Sequence, residues 1–501
     1  MTKRNIFVSI ISVSGIVLIA KMFGFIKQIV SANAFGATIQ TDLISISEGL
    51  ISNLDYLLVQ ALSTAYIPTY LAVKKDSAED EKGFVSDSIK IFLLITICVS
   101  GIVFFASPVI SKLLAPTYST EISHQLASYI RVLSPVFILV TEMALFNSLL
   151  KANESFIPGE LIGFNQSVIC ILLVFLFGDF FGADTLIIAF ISYALFNLIF
   201  LMIYSRKYWS IRKGNPLSNI AVRNLLCMMG PLLLGYSLVF VNQQVDKIIV
   251  SGLGEGIVTA MSYAAVLSNF ITTFVSSLCA ILFTYITQHI VTGKDQDAAK
   301  LTMSSICQLV TILIPISILT IMNAKDIVSI VFGRGKFDNS AVDNCSIALI
   351  GYAFMFVPFV IRELLSRFQY GYRDSKKPMI NSSISIVFNI VFSIVLSKIM
   401  GVLGVTLATS LSVVICSLLN YLSSRKKTKS LHIDGFLSIL LRWTIGSTVC
   451  IAISLIGKQL LSDSYRVIRF VTLTFASLGA YALVAFPIIK PLIDRLRNKA
   501  V

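Results

Sequence analysis

This sequence is short of charge. Only 13% of its 501 residues are Asp, Glu, Lys or Arg, while 56% are hydrophobic and the mean hydropathy is +0.85. Soluble domains carry about 25% charged residues. A chain this apolar has too little polar surface to cover a soluble globule, so lipid must be its solvent. Metal-ligating residues are scarce too. The eight cysteines form no C-x-x-C, and most fall inside apolar runs, where they read as small apolar residues rather than disulfides or ligands. His124, His289 and His432 lie far apart, so no metal set is visible. No G-x-x-x-x-G-K-[ST] occurs; Gly333-Arg334-Gly335-Lys336 lacks both the spacing and the hydroxyl. The chain is therefore not expected to hydrolyse ATP or to be an enzyme, and no cofactor is expected. An ion gradient with a coupling cation, the membrane potential or downstream consumption of product must drive whatever it moves.

What is present is a series of apolar runs of spanning length, at roughly 6–35, 42–72, 88–111, 127–150, 159–178, 185–205, 224–251, 258–289, 301–322, 343–366, 379–399, 402–423, 436–457 and 467–489. They predict an all-α polytopic membrane protein of about fourteen transmembrane helices. Ala32-Asn33-Ala34 mimics a signal-peptidase site, but Lys21 and Lys27 interrupt the stretch before it, and the first helix is expected to stay uncleaved. The net charge of +14 does not point to nucleic acid, because the basic residues cluster in alternate short loops. Arg206, Lys207, Arg212 and Lys213 fill one such loop, and Arg373, Lys376 and Lys377 another. The intervening loops hold few: Lys112, Lys325, Arg334 and Lys336 are examples. By the positive-inside rule the basic set is cytoplasmic, and so are both termini.

The chain also repeats itself. Lys27-Gln28-Ile29-Val30-Ser31 matches Lys247-Ile248-Ile249-Val250-Ser251 at an offset of 220, and Gly36 with Gly256 and Pro158 with Pro378 share that register. Spans 1 to 6 thus map onto spans 7 to 12. Six spans is an even number, so the two copies insert in the same direction as parallel six-helix lobes, with a site expected between them. The expected organisation is an N-terminal lobe at 1–205, a cytoplasmic linker at 206–223, a C-terminal lobe at 224–423, and two additional helices within 436–489.

Charges inside a membrane cost about 2.5 kcal/mol or more each and usually face a cavity. Lys21 is near mid-span. Lys27, six residues on, points about 120° away on a helix, and Gly24 between them permits a bend that lets both border one wide cavity. A cationic cavity suits an anionic substrate, although Lys27 is also placed to snorkel outward. In span 7 Gln243 and Lys247 share one face, as do Asn242 and Asp246. Asp55 in span 2 is placed to act as counter-ion to a lysine or as a proton or cation site, and Glu48 and Asp246 are further candidates for that role. Glu48 lies nearer the outer end, where hydration also accounts for it. Glu142 in span 4 is deeper, with no obvious partner.

At these residues the chain resembles the MurJ (MviN) family of lipid II flippases, within the multidrug/oligosaccharidyl-lipid/polysaccharide exporter superfamily. The resemblance rests on Lys21-Met22-Phe23-Gly24-Phe25-Ile26-Lys27, Phe35-Gly36-Ala37 and Thr41-Asp42. It continues through Ser63-Thr64-Ala65-Tyr66-Ile67-Pro68, Met229-Gly230-Pro231, Gly335-Lys336-Phe337 and Tyr372-Arg373-Asp374 with Lys377-Pro378. It implies a cationic cavity for a pyrophosphate-linked sugar and a groove for a polyprenyl tail formed by the last two helices. The family's two span-1 arginines carry over to Lys21 and Lys27, and its Thr-Asp aspartate to Asp42. Its paired span-2 arginines align with Leu54 and Asp55, and a span-8 arginine with Val266, so the cavity has lost positive charge and gained a carboxylate. The substrate-binding candidates are therefore Lys21, Lys27, Asp42, Asp55 and Lys247.

The resulting expectation is a flippase for an undecaprenyl-pyrophosphate-linked glycan in the bacterial inner membrane, acting as a monomer. Lipid II is the first expected substrate and a polysaccharide repeat unit the second. A cation-coupled exporter of small molecules is the reading from another functional class.

Overall fold

The computed structural model describes residues 3–76, 78–428, 431, 436–460 and 466–497. Among them the chain is helical throughout, with no strand. Twelve helical stretches are long and apolar enough to cross a membrane, and a pair bent by 42° at 354–355 makes a thirteenth. One of the twelve, 157–205, is 49 residues long. At 1.5 Å per residue that is far more than one bilayer thickness. It consists of two helices, Ile157–Phe181 and Thr185–Ser205, that pack on each other. Counted as two, it brings the total to the fourteen expected from the apolar runs.

The chain divides into two compact units. The first is Met1–Thr259 with Arg334–Asp338; the second is Ala260–Gly333 with Asn339–Val501. The first holds α1 (Lys3–Phe35), α2 (Ile39–Asp76), α3 (Ala78–Leu114), α4 (Thr120–Leu133), α5 (Val136–Ala152), α6 (Ile157–Phe181), α7 (Thr185–Ser205) and α8 (Ile220–Ser251), with the first turn of α9 (Ile257–Val291). Here α2 packs against α5 and α8, and α1 against α6. The core between α2, α3, α5 and α8 is built on Leu62, Tyr66, Phe84, Phe92, Leu145 and Leu149.

The second unit holds the rest of α9, then α10 (Asp295–Met322), α11 (Ala324–Val331), α12 (Asn339–Ala353), α13 (Phe356–Gly371), α14 (Lys376–Met400), α15 (Val402–Arg425), α16 (Phe436–Leu460) and α17 (Arg466–Arg497). The two appended helices lie on α10: Trp443 Nε1 donates to Thr311 Oγ1 at 2.8 Å, and Arg469 pairs with Asp326 of α11 at 3.2 Å.

The repeat legible in the sequence recurs in the backbone. The α4–α5 break at Ser134–Pro135 has its counterpart at 354–355 between α12 and α13. Glu154 and Arg373, 219 residues apart, are the two non-glycine residues with positive φ among the described residues, both at 59°. Gly182 and Gly401, also 219 apart, end α6 and α14 with φ of 56° and 57°. A residue here must adopt the left-handed region to stop one helix and turn at once into the next, and glycine does so without a Cβ clash.

Polar side chains hold the apolar helices together where the hydrophobic effect cannot. Asn165 donates to Asn197 at 3.0 Å between α6 and α7. On α14 a polar residue recurs every fourth position, Asn381, Ser385, Asn389, Ser393 and Ser397, all buried. Asn381 donates to Asn420 Oδ1 of α15 at 2.8 Å, and Ser385 to the Ser412 carbonyl at 2.6 Å.

Candidate functional site

The first unit gathers three charged side chains from three helices. Glu48 stands on α2; Lys27 on α1 and Lys247 on α8 are the two cations that act on its carboxylate. Lys247 is held in place. Its Nζ donates to the Ser45 carbonyl at 2.9 Å, one turn before Gly49 on the same helix. Gly49 makes the approach possible, since a Cβ there would lie 1.4 Å from Lys247 Nζ. The Ser45 carbonyl keeps a second lone pair after its helical bond, and the ammonium uses it. Half-buried Tyr193 of α7 and buried Cys170 of α6 complete the surroundings of Glu48. Two lysines and one glutamate leave a net positive charge, and in a poorly hydrated place that charge is felt by an anion far more than in water.

The other residues singled out from the sequence are placed differently. Lys21 is exposed on α1, six residues before Lys27. Asp42 is fully buried, and its Oδ1 accepts from the Thr259 backbone N–H at 2.7 Å. It thus caps the start of α9, where the helix dipole favours a negative charge. Glu255 returns the favour at the start of α2, its Oε1 accepting from Ile39 N at 3.1 Å. The two turns lie close: a Cβ on Gly256 (φ 77°) would be 2.4 Å from the Ala37 carbonyl. Asp55, two turns beyond Glu48, is half-buried, and its inner Oδ1 has no hydrogen-bond partner among the described residues. Asp246 is half-buried on α8 beside Lys247. Among the described residues no group of three or more His, Cys, Asp or Glu could hold a metal ion.

Replacing Asp42 by alanine removes the α9 cap and is expected to lower stability by about 1–2 kcal/mol. Thermal unfolding in detergent checks this; an unchanged melting temperature would count against the cap. Sequence reasoning missed Gly49 altogether. Its signal was a glycine inside an apolar helix, which marks a close approach but does not say to what. Glu48, which hydration alone would account for from its place in the sequence, stands instead between two lysines that belong to spans distant in the chain.

The helix count, the repeated backbone pattern and a charged cluster inside the membrane-spanning region define a multi-pass membrane transporter. The fold is shared with an inward-facing multidrug resistance MATE family transporter of the MOP superfamily, which superposes with a TM-score of 0.64 at 13% identity, covering 82% of this chain and 94% of the transporter. The profile of the family described as lipid II flippase MurJ matches residues 31–476, and the chain belongs to that family. A probable lipid II flippase MurJ from Buchnera aphidicola subsp. Acyrthosiphon pisum is 26% identical over 449 residues, 87% of each chain. The lipid II flippase MurJ of Burkholderia cenocepacia is 22% identical over 445 residues, 84% of each chain. A solved lipid II flippase MurJ in an inward closed conformation has a TM-score of 0.83 at 20% identity, covering 96% of this chain and all of that one.

Proposed function

We propose that this protein flips lipid II across the bacterial inner membrane by exposing one site alternately to the two sides. Membership of the family supports the substrate; the Lys27–Glu48–Lys247 cluster supports the way it is held. The pyrophosphate of a polyprenyl-linked sugar is its most concentrated charge, and ammonium groups in a low-dielectric surrounding are the groups that bind it. Lys21, exposed on the same helix as Lys27, is placed to meet the anion first. A related polyprenyl-pyrophosphate glycan is the second reading, favoured by Asp55, a carboxylate that a purely cationic site does not need. The test is genetic: in cells depleted of their own lipid II flippase, expression of this chain should restore lipid II at the outer leaflet. Failure to do so, with the protein in the membrane, overturns the substrate and leaves the glycan reading.

The orientation we propose places both termini and 206–222 in the cytoplasm and 325–342 outside, as the loop charges require. In a background stripped of native cysteines, Asn339→Cys should react with an impermeant reagent in intact cells and Ser210→Cys should not. The opposite pattern would show the chain inverted.

A further inference from the structure

The charges in the cluster do not balance against this ligand. A diphosphate that joins a lipid to a sugar carries two negative charges, one on each phosphorus, whereas Lys27, Lys247 and Glu48 together offer one net positive charge; Lys21 is exposed and does not act on Glu48, so its charge is screened and does not make up the difference. An anion brought up to both lysines also meets the Glu48 carboxylate, and like charges in a low-dielectric place exclude each other's ionised form. Lys247 cannot adapt by retreat. Lys247 is fixed by the Ser45 carbonyl and by the notch that Gly49 leaves, on the same turn of α2 that carries Glu48. The carboxylate is the group left to change.

We propose that Glu48 takes up one proton from solvent when the pyrophosphate binds between Lys27 and Lys247, and gives it back when the ligand leaves. The loaded site is then electrically neutral: two ammonium groups, two phosphate charges and a neutral carboxylic acid that can donate its own hydrogen bond to a phosphate oxygen. No bond of the ligand is made or broken; one O–H forms on Glu48 as one O–H of hydronium, or one O–H or N–H of a buffer acid, breaks. Cys170 on α6 and Tyr193 on α7 both feel the Glu48 charge; Asp55 stands two turns further along α2, and Asp246 beside Lys247 on α8. Glu142 on α5 acts on Tyr66 instead, and Arg131 on α4 donates to Ser107 of α3 at 2.8 Å. This inference rests on the reading of the cluster as the pyrophosphate site.

The experiment is calorimetric titration of the purified full-length protein with an undecaprenyl-pyrophosphate-linked monosaccharide, in two buffers of different ionisation enthalpy. Both phosphates of this probe are esterified, so the ligand brings no proton of its own near neutral pH. The wild type should take up about one proton, and its affinity should fall roughly tenfold per pH unit once free Glu48 is ionised. Glu48→Gln should bind with no proton uptake and no such pH dependence, and Glu48→Asp should keep both. Infrared difference spectra of the wild type should gain a protonated-carboxyl band on binding, which needs no variant. Binding without proton uptake, uptake unchanged in Glu48→Gln, or no carboxyl band would overturn the proposal. Whether lipid II itself is carried is decided separately, by the cell assay, since the probe has only the chemistry common to all such glycans.

Discussion

Gly49→Ala is expected to cut flipping by about ten- to a hundredfold while the protein still folds and reaches the membrane. The new methyl would occupy the place of the Lys247 ammonium, 1.4 Å away. The obstacle is the end of a flexible side chain, so the backbone need not move; Lys247 swings out and loses the Ser45 carbonyl. Alanine also favours a helix over glycine by about 1 kcal/mol. The lost bond and the better helix former oppose each other in stability, so the melting temperature should move by only about a few degrees, while outer-leaflet lipid II falls by about ten- to a hundredfold, the range of one lost charge-assisted hydrogen bond. Because both changes act through one group, Gly49→Ala combined with Lys247→Ala should be little worse than either alone. Additive losses, or full activity of Gly49→Ala, would remove Lys247 from the site.

Lys27→Ala and Lys247→Ala are each expected to cost flipping by a similar factor, with the protein still reaching the membrane. Removal of either lysine leaves Glu48 with one cation, a paired carboxylate with no net attraction for an anion. The half-buried acid is not stranded, which spares the cost of a broken pair. Removing both strands it, and the double variant should lose activity entirely and some stability with it. Lys27→Arg should keep most activity, since charge is retained. Lys247→Arg should not, because a planar guanidinium does not fit the notch shaped for an ammonium. The assay is again lipid II at the outer leaflet, normalised to protein in the membrane. Full activity of the double variant would end the cationic-site mechanism.

The fold was legible in the sequence because lipid imposes a simple rule: a run of about twenty apolar residues spans, and little else can. The fourteen runs, the register of 220 and the glycines at 36 and 256 all reappear as helices and turns. The charged cluster was legible by residue and not by partnership. Lys27, Glu48 and Lys247 each stood out as a charge in an apolar run, but their meeting depends on which faces of α1, α2 and α8 turn towards one another, and no periodicity in a nearly uniform apolar helix records that. Asp42 carried a recognisable motif, yet only the backbone of α9, more than two hundred residues later, shows what its carboxylate holds.

The polar ladder between α14 and α15 bears on how the chain meets lipid. A helix that carries Asn381, Ser385, Asn389, Ser393 and Ser397 along one side would show that whole stripe to hydrocarbon if it entered the bilayer by itself. Its partners arrive across a single residue, Gly401. As a hairpin the two helices cover that stripe with each other. The glycine that permits this tight turn thus lets two polar edges meet with no loop between them, so neither helix needs a lipid-facing side that is polar.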